Sequence, residues 1–361
     1  MTVAADLIRT FTADVVRALG APADSAALVA ASLAEADRLG CHSHGTVQLP
    51  LYASMIAAGA LDPLAHPSVD SCAAGLARVN GHNSFGQLTG ALAVRTGIKR
   101  AREGGIAAVG IRNGGHLGRL GEWAQMAAAG EMVFLAFCNT GGGARNVAPF
   151  GGHERKLSTN PVAFGIPAFG AVPHDVIVDF ATSQVAGAVI GKHYITGKPL
   201  DPEWATTATG EKLIHARDFI SGDGALLPLG GRVSGHKGYA LAIIAEILGG
   251  IAGGLMAGEH DPEWFSNAAL FLFVDPLKFL PRDELKRRIG GLAVYLHEAG
   301  ARLPGAGVYL HEKEIPQDRI SLPDHVCSAL KQLAGELRLE LPAALAEIAD
   351  AADGPEPART W

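Results

Sequence analysis

The sequence has little of what marks several protein classes. Its 361 residues include four widely spaced cysteines, at positions 41, 72, 138 and 327, and no C-x-x-C pair. Such spacing does not build a disulfide framework in a chain this long, so a reduced compartment is expected. Charged residues make up 18% and hydrophobic residues 48% of the chain. These proportions exclude wholesale disorder and allow a large core.

Basic stripes, leader segments and membrane spans are also missing from the pattern. The formal net charge is −6 and the lysines and arginines are scattered, so no nucleic-acid partner is expected. Residues 1–10 contain an acid and no long apolar core, unlike a secretory signal. The most apolar stretch, 239–257, contains Glu246 and four glycines, and we interpret it as a buried helix rather than a span. The sequence therefore predicts a cytoplasmic protein without a membrane partner.

Two common site signatures are absent as well. No G-x-G-x-x-G follows a strand and opens a helix, so a dinucleotide cannot bind here by the usual Rossmann route. The nearest match, around Gly305 and Gly307, lacks the third glycine and the strand–helix context. There is no H-E-x-x-H, and no bound metal is expected.

Helical patterns occupy both ends of the chain, and strands alternate with helices between them. Near the start, Asp24 or Ser25 could cap a helix that ends at Gly40. Apolar runs predict strands, and spacings of three and four predict helices. The predicted strands cover residues 106–111, 132–139 (buried on both faces), 176–180 and 270–274. The predicted helices cover residues 87–101, 118–129, 237–251, 283–299, 323–337 and 342–351. We expect an α/β protein in which residues 1–75 together with 281–361 form a helical domain, and residues 76–280 form a sheet-containing domain that binds cofactor and substrate.

A histidine on a glycine-rich loop is the first candidate site residue. His116 lies in Arg-Asn-Gly-Gly-His-Leu-Gly, directly after the predicted strand 106–111. Loops at strand ends often present reactive groups, and the flanking glycines leave the ring accessible. Since an imidazole titrates near neutral pH, it can exchange a proton with an oxygen or nitrogen that is being reduced or oxidised. Alternatively, His116 packs beneath a loop.

A second polar segment, His42-Ser43-His44-Gly45, lies upstream. In an extended chain His42 and His44 would point to the same side, which suits two metal ligands. No acidic cluster nearby completes a metal shell, so we prefer a polar loop that reaches into an active site.

Further polar segments follow the predicted strands. Glycines 141–143 could turn backbone N–H groups toward a phosphate, although a mobile surface loop is an equal alternative. Asp179 ends a predicted strand, where it could hold ribose hydroxyls or orient a histidine. Thr182 or Ser183 beside it could instead cap a helix. Lys237 lies at a predicted helix start, beside a ready anion site, unless it is a solvated surface lysine.

Together, these segments resemble the malate/L-lactate dehydrogenase family, a non-Rossmann family that includes sulfolactate, ureidoglycolate and hydroxycarboxylate dehydrogenases and some cyclic imine reductases. The resemblance spans about residues 30–312. It rests on these residues: Asp37, Gly40, Ser43-His44-Gly45, Gly86, Gly114–Gly118 around His116, Asn139-Thr140, Ala148–Gly152, Thr159-Asn160-Pro161, Asp179, Ala181-Thr182-Ser183, His236–Tyr239 and Pro304-Gly305. The segments 149–152 and 158–161 look most like the hydroxycarboxylate and ureidoglycolate dehydrogenase type.

The resemblance implies a fold, an activity and site roles. It implies a non-Rossmann L-sulfolactate dehydrogenase-like fold, with a mixed-sheet domain plus a helical domain made from both termini, and a homodimer. It implies hydride transfer between NAD, or NADP, and C2 of a 2-hydroxy or 2-oxo acid. His116 would be the proton donor and acceptor, with His44 and Ser43 on the opposite wall. The implied cofactor contacts are Thr140, Thr159, Asn160, Asp179, Phe180, Ala181, Lys237, Gly305, Ala306 and Gly307.

One position departs from the family pattern. Many members carry an arginine three residues after the Ser-His-Gly glycine, where this chain has Gln48. A neutral amide cannot grip a carboxylate as a guanidinium fork does. Either Arg112, Arg119 or Lys237 takes over, or the substrate is bulkier or less acidic than malate. We favour a 2-oxo monocarboxylate with a hydrophobic side chain.

Three other hypotheses remain open from the sequence. A cyclic imine carboxylate could be the substrate, in which case the proton goes to nitrogen. A metal-dependent hydrolase or lyase could use His42, His44 and His116. A catalytically inactive homologue has only Gln48 in its favour. The sequence does not choose between NAD and NADP, nor does it give the natural substrate or the stereochemistry.

Overall fold

The structure, a computed structural model, describes residues 2–260 and 262–350. Its strands are β1 (Thr2–Ala4), β2 (Ser68–Ala73), β3 (Leu76–Asn80), β4 (Ile106–Arg112), β5 (Val133–Asn139), β6 (Val162–Ile166), β7 (Val176–Phe180), β8 (Ala205–Thr206), β9 (Ala225–Leu226), β10 (Ala268–Val274) and β11 (Arg319–Ser321). Its helices are α1 (Ala5–Ala18), α2 (Ala23–Arg38), α3 (Leu49–Ala57), α4 (Gly86–Gly104), α5 (Leu120–Ala129), α6 (Gly187–Thr196), α7 (Ala216–Ile220), α8 (Gly231–Ile251), α9 (Arg282–Glu298), α10 (Ala306–Glu314), α11 (Asp324–Leu337) and α12 (Ala343–Asp350). Single 3-10 turns cover His42–His44, Thr46–Gln48 and Pro276–Lys278.

The core of the molecule is a mixed seven-stranded sheet, in the order β2-β3-β4-β10-β5-β6-β7. β3 and β4 are parallel, and α4 makes the crossover that a parallel pair requires. The other neighbouring strands are antiparallel. β10 lies between β4 and β5 and buries Phe271 and Phe273 completely. It therefore brings the loops that follow β4 and β5 to the same edge of the sheet.

The two ends of the chain meet in a second buried cluster. β1 pairs with β11, and the cluster includes Ile8, Leu33, Leu330 and Leu345. However, β2 belongs to the sheet although the predicted helical domain extended to residue 75. α9, assigned to the same domain, contributes no buried residue. The division into two domains stays a prediction.

Most predicted elements are present, with three differences. α2 begins at Ala23, directly after Pro22, and no side chain caps it. β5 alternates between buried and half-buried residues, so it is not fully buried on both faces. α8 begins at Gly231, which puts Lys237 in the second turn and not at the helix start. The predicted anion site at the start of a helix beside Lys237 is therefore wrong. Among the described helices, none has the length and hydropathy needed to cross a membrane.

Candidate active site

The loop that carries His116 is fixed by close backbone packing. Gly115 has φ +65°, and a Cβ there would lie 2.2 Å from the carbonyl oxygen of Ser84. Gly86, at the start of α4, lies so close that its Cβ would come 1.9 Å from the His116 carbonyl oxygen. On the other side, the Leu117 N–H donates to Asn267 Oδ1 at 2.9 Å. The glycines around His116 thus allow the close approach that sets the ring in place.

His44 faces His116 across a narrow gap. The two rings stack with centroids 5.9 Å apart and planes 21° apart, and Phe265 meets the His116 ring edge-on at 5.7 Å. Ser43 Oγ lies 2.8 Å from His44 Nδ1. The structure therefore brings together all three residues predicted to be catalytic, His116, His44 and Ser43.

The segment that carries His44 is tied to a buried carboxylate. Asp37 Oδ2 accepts from the backbone N–H and the hydroxyl of Thr46 at 2.8 and 2.7 Å. Asp37 Oδ1 pairs with His42 Nδ1 at 3.0 Å. The expectation that His42 and His44 point to the same side is wrong, because residues 42–44 form a 3-10 turn and not an extended chain. Among the described residues, no three His, Cys, Asp or Glu side chains lie close enough together to bind a metal ion.

Asp179 and Arg119 complete the charged part of the cleft. Asp179, solvent-accessible at the end of β7, accepts from the Gly121 N–H at 2.6 Å. Desolvation raises the pKa of the Asp179 carboxyl. The Gly121 N–H, His44 and Arg119 each lower this pKa and partly offset the shift. Arg119 is 7% exposed and donates to Gln125 Oε1.

Both imidazoles of the stacked pair are held neutral. Burial lowers the pKa of His44, while Asp179 opposes this shift and Arg119 adds a smaller lowering. Burial, with a smaller contribution from His44, lowers the pKa of His116 to about 3. Two stacked rings cannot both be charged without strong repulsion. An unprotonated imidazole on a half-buried side chain can accept a proton from a bound hydroxyl.

The candidate substrate-binding residues lie in different places. The Gln48 amide donates to the Ser43 carbonyl at 2.6 Å, so it braces the loop before His44. Arg112 turns to Asp70, 3.8 Å away. Of the two arginines considered, Arg119 is the one that the structure places beside His44 and Asp179.

The predicted cofactor residues around β5 and β6 are held together by Glu246 of α8. This buried side chain accepts from Asn139 Nδ2 at 3.2 Å and from Asn160 Nδ2 at 2.8 Å. Asn139 precedes Thr140, whose hydroxyl donates to the Gly143 carbonyl. The Thr159 carbonyl accepts from the Thr182 hydroxyl at 3.0 Å. Thr182 is thus a brace between β6 and β7, and α6 begins only at Gly187.

The remaining cofactor candidates line both ends of β7 and the exposed side of α8. Asp179, Phe180 and Ala181 lie at the end of the strand. Gly305 has φ +95° and packs against its start, where a Cβ would lie 2.8 Å from the Asp175 carbonyl oxygen. Ala306 and Gly307 begin α10, and Lys237 is exposed on α8.

These residues fit a phosphate-bearing dinucleotide. Gly141 and Gly142 have φ values of +61° and +82°, and a Cβ on Gly142 would meet the Met256 carbonyl at 3.2 Å. The N–H groups of Gly141 and Gly143 are bonded within the loop, to Asn139 Oδ1 and to the Thr140 carbonyl, so Gly142 is the glycine whose N–H the loop can offer to a phosphate. An ammonium at Lys237 and an accessible carboxylate at Asp179 offer partners for phosphate and for ribose hydroxyls.

The sequence reasoning missed two residues behind His116. Tyr52 OH lies 2.9 Å from His116 Nδ1, and Gln87 Nε2 donates to Tyr52 OH at 2.8 Å. Tyr52 follows Gln48 by four residues, one helical turn, and that spacing was the available signal. Gln87 comes from α4, and nothing in the local sequence marks it.

Comparisons with known proteins agree with this geometry. The family model for malate/L-lactate dehydrogenase matches residues 3–331, and the chain belongs to that family. A malate dehydrogenase from Pyrococcus abyssi is 34% identical over 293 residues, covering 79% of this chain and 78% of the relative. A Delta(1)-pyrroline-2-carboxylate/Delta(1)-piperideine-2-carboxylate reductase from Pseudomonas aeruginosa is 32% identical over 305 residues, covering 82% and 88%.

Solved structures share the fold. Malate dehydrogenase from Entamoeba histolytica superposes with a TM-score of 0.86 at 25% identity, covering 95% of this chain and 99% of the other. Sulfolactate dehydrogenase from Methanocaldococcus jannaschii superposes with a TM-score of 0.81 at 24% identity, covering 94% and 98%. The expected non-Rossmann, L-sulfolactate dehydrogenase-like α/β fold is confirmed.

Proposed function

We propose that the protein is an oxidoreductase that transfers a hydride between NAD or NADP and C2 of a 2-hydroxy or 2-oxo carboxylic acid. The observation that carries the proposal is the neutral His116 ring, stacked on His44 in a cleft that Asp179 and Arg119 border. The names of the relatives supply the class of reaction, since they are dehydrogenases of malate, lactate and sulfolactate.

In this proposal His116 handles the proton. A nicotinamide, when bound, supplies the hydride chemistry at C4. During oxidation His116 takes the proton of the C2 hydroxyl, and during reduction it returns that proton to the 2-oxo oxygen. His44, held by Ser43, forms the opposite wall and orients the reacting carbon. Arg119 offers the charge for the carboxylate.

The proposed cofactor site follows the edge that β5, β6, β7 and α8 share. The glycine loop after Thr140 and the side chain of Lys237 would hold phosphates. Asp179 would meet ribose hydroxyls, while Thr159, Asn160, Phe180 and Ala181 would shape the floor. The segment Gly305–Gly307 would close the far end.

A direct test replaces the proposed proton carrier. The variant His116→Ala should lose at least about 100-fold in turnover, because general acid–base catalysis typically contributes 10²–10⁴-fold. Affinity for NADH should stay within a few-fold, since the ring does not hold the dinucleotide. His297→Ala, at an exposed position on α9, is the matched control. Near-normal turnover by His116→Ala would exclude His116 from the role.

The proposed substrate is a monocarboxylate with a hydrophobic side chain, because Gln48 replaces the family's arginine and is engaged with Ser43. A cyclic imine carboxylate is the second candidate, favoured by the Pseudomonas aeruginosa relative. Loss of NADH or NADPH absorbance across a panel of 2-oxo acids and cyclic imines separates the two. Higher kcat/KM for a dicarboxylate than for any monocarboxylate would contradict the assignment.

We also propose a homodimer. Apolar side chains at Val233, Ile244, Ile247 and Ile251 share one side of α8, and Val233 is 87% exposed. An apolar stripe at this spacing on a long helix is typical of a helix-packing surface. Sedimentation of the wild type should give a mass of twice the chain, and Ile247→Glu should lower it.

A further inference from the structure

Two buried polar residues lie in line behind His116. Tyr52 is 1% exposed and Gln87 is fully buried. Tyr52 OH is 2.9 Å from His116 Nδ1 and accepts from Gln87 Nε2 at 2.8 Å. The Tyr52 ring is wedged between Phe85 and His116, with centroids 5.8 and 5.9 Å away. The hydroxyl is therefore held at one ring nitrogen of His116.

The direction of these hydrogen bonds decides where the imidazole proton sits. A phenol has one proton to donate. When Tyr52 accepts from the Gln87 amide, its own proton points to His116 Nδ1, so a neutral ring carries its proton on Nε2. When Nδ1 is protonated instead, it must donate to Tyr52, and the Tyr52 proton needs another acceptor.

The structure contains such an acceptor in reach. Gln87 Oε1 is buried and has no hydrogen-bond partner. Rotation of the amide by half a turn would present that oxygen to Tyr52 at about the same distance, because the two ends of an amide have the same reach. An unpaired buried carbonyl is costly, so packing alone would favour an apolar residue at this position.

We propose that Tyr52 and Gln87 are positioning residues that set the tautomer of His116, and that the Gln87 amide turns over before His116 takes up the substrate proton. The inference rests on the proposed function, because it assigns the uptake to His116. In the structure, Nδ1 accepts from Tyr52, so Nε2 carries the ring proton and can donate a hydrogen bond to a ligand but cannot take a proton from it. After the amide turns, Tyr52 donates to Gln87 Oε1 and accepts from Nδ1–H, so the neutral ring carries its proton on Nδ1. The Nε2 lone pair is then free to take the substrate proton, and the resulting imidazolium keeps Tyr52 as the partner of Nδ1–H.

Two shape-matched variants test the relay. Tyr52→Phe removes the hydroxyl and keeps the ring, and Gln87→Met keeps the side-chain length and removes the amide. Tyr194→Phe, in a separate hydrophobic cluster, is the control for loss of a tyrosine hydroxyl. We expect Tyr52→Phe and Gln87→Met to lower turnover by about 10–100-fold, the range found for partners that orient metal-bound histidines. The control and the melting temperatures should stay close to the wild type.

The deciding measurement is the tautomer itself. In protein labelled with ¹⁵N-histidine, the His116 signals, assigned through His116→Ala, should show a wild-type ring protonated at Nε2 alone. In Tyr52→Phe, the ¹⁵N shifts should move toward a mixture of the two tautomers. Unchanged His116 shifts in Tyr52→Phe would overturn the inference, whatever happens to turnover. This measurement needs no substrate, so its result does not depend on the proposed function. The proposed function fails separately, if the wild type turns over none of the 2-oxo acids and cyclic imines in the panel.

Discussion

Removing the Glu246 carboxylate should destabilise the protein more than any surface substitution. Glu246 is 7% exposed, and its two oxygens accept from Asn160 Nδ2, from Asn139 Nδ2 and from the Ala257 N–H, at 2.8, 3.2 and 2.7 Å. These donors come from three segments: the end of β5, the turn before β6 and the turn after α8. The side chain therefore joins α8 to the ends of β5 and β6.

The size of the effect follows from counting donors. In Glu246→Gln, one oxygen can still serve Asn139 and Ala257. The new NH2 group then faces Asn160 Nδ2. The substituted amide and the Asn160 amide each point a buried N–H at the other, and neither finds an acceptor there. Each unsatisfied buried donor costs about 1–3 kcal/mol, so the variant should lose about 2–6 kcal/mol. That is a large part of the roughly 5–15 kcal/mol by which a protein is stable.

Urea unfolding measures the loss directly, as a lower midpoint at an unchanged slope. The control is Glu298→Gln, an exposed position at the end of α9, which should stay within about 0.5 kcal/mol of the wild type. Asn139 directly precedes Thr140, and Asn160 is itself a proposed cofactor residue. Glu246→Gln should therefore also weaken NADH binding. If the free energy of unfolding of Glu246→Gln lies within about 1 kcal/mol of the wild-type value, which is less than the expected loss, the reasoning is refuted.

Other predictions concern the cleft. Gln48→Arg should raise kcat/KM for a dicarboxylate by about 10-fold or more in steady-state assays, because a charge-assisted bond contributes about 1.5–3 kcal/mol. If kcat/KM for the dicarboxylate does not rise, the role assigned to position 48 is contradicted. Since the His116 pKa is lowered to about 3, this base is unprotonated above that pH, and kcat/KM for oxidation should not fall between pH 7 and 5 as it would for an ordinary imidazole. A pH profile with a midpoint near 6.5 would contradict this. Gly86→Ala should lower both turnover and melting temperature, since its Cβ would lie 1.9 Å from the His116 carbonyl oxygen; Gly335→Ala, at an open position, is the control.

Local pattern was enough to predict most of the sheet. The runs at 106–111 and 176–180 are strands because branched and apolar residues concentrate there. Likewise, glycines beside His116 indicated an exposed ring, and the structure shows these glycines making room for backbone from α4. Signals of this kind are short-range, since a strand or a tight loop is decided by its own few residues.

What the sequence could not predict depends on contacts between distant segments. His42 pairs with Asp37 because the chain turns at residues 42–44, and periodicity alone suggested an extended segment. Glu246 indicated a buried helix rather than a membrane span, but its role as an acceptor was not visible, because its partners Asn139 and Asn160 lie about a hundred residues earlier. Tertiary contacts override local preference in each case.

Charge balance in the cleft gives the strongest argument about the ligand. His44 and His116 are neutral, and Arg119 already faces Asp179. Desolvation raises the pKa of the Asp179 carboxyl, and Arg119 and the Gly121 N–H partly offset the shift. A monocarboxylate adds one negative charge to a cleft in which Arg119 is already shared with Asp179. A dicarboxylate adds two, and the position where relatives carry a second cation is Gln48, whose amide is bound to Ser43. The electrostatics of the described residues thus support a ligand with one carboxylate and an uncharged remainder.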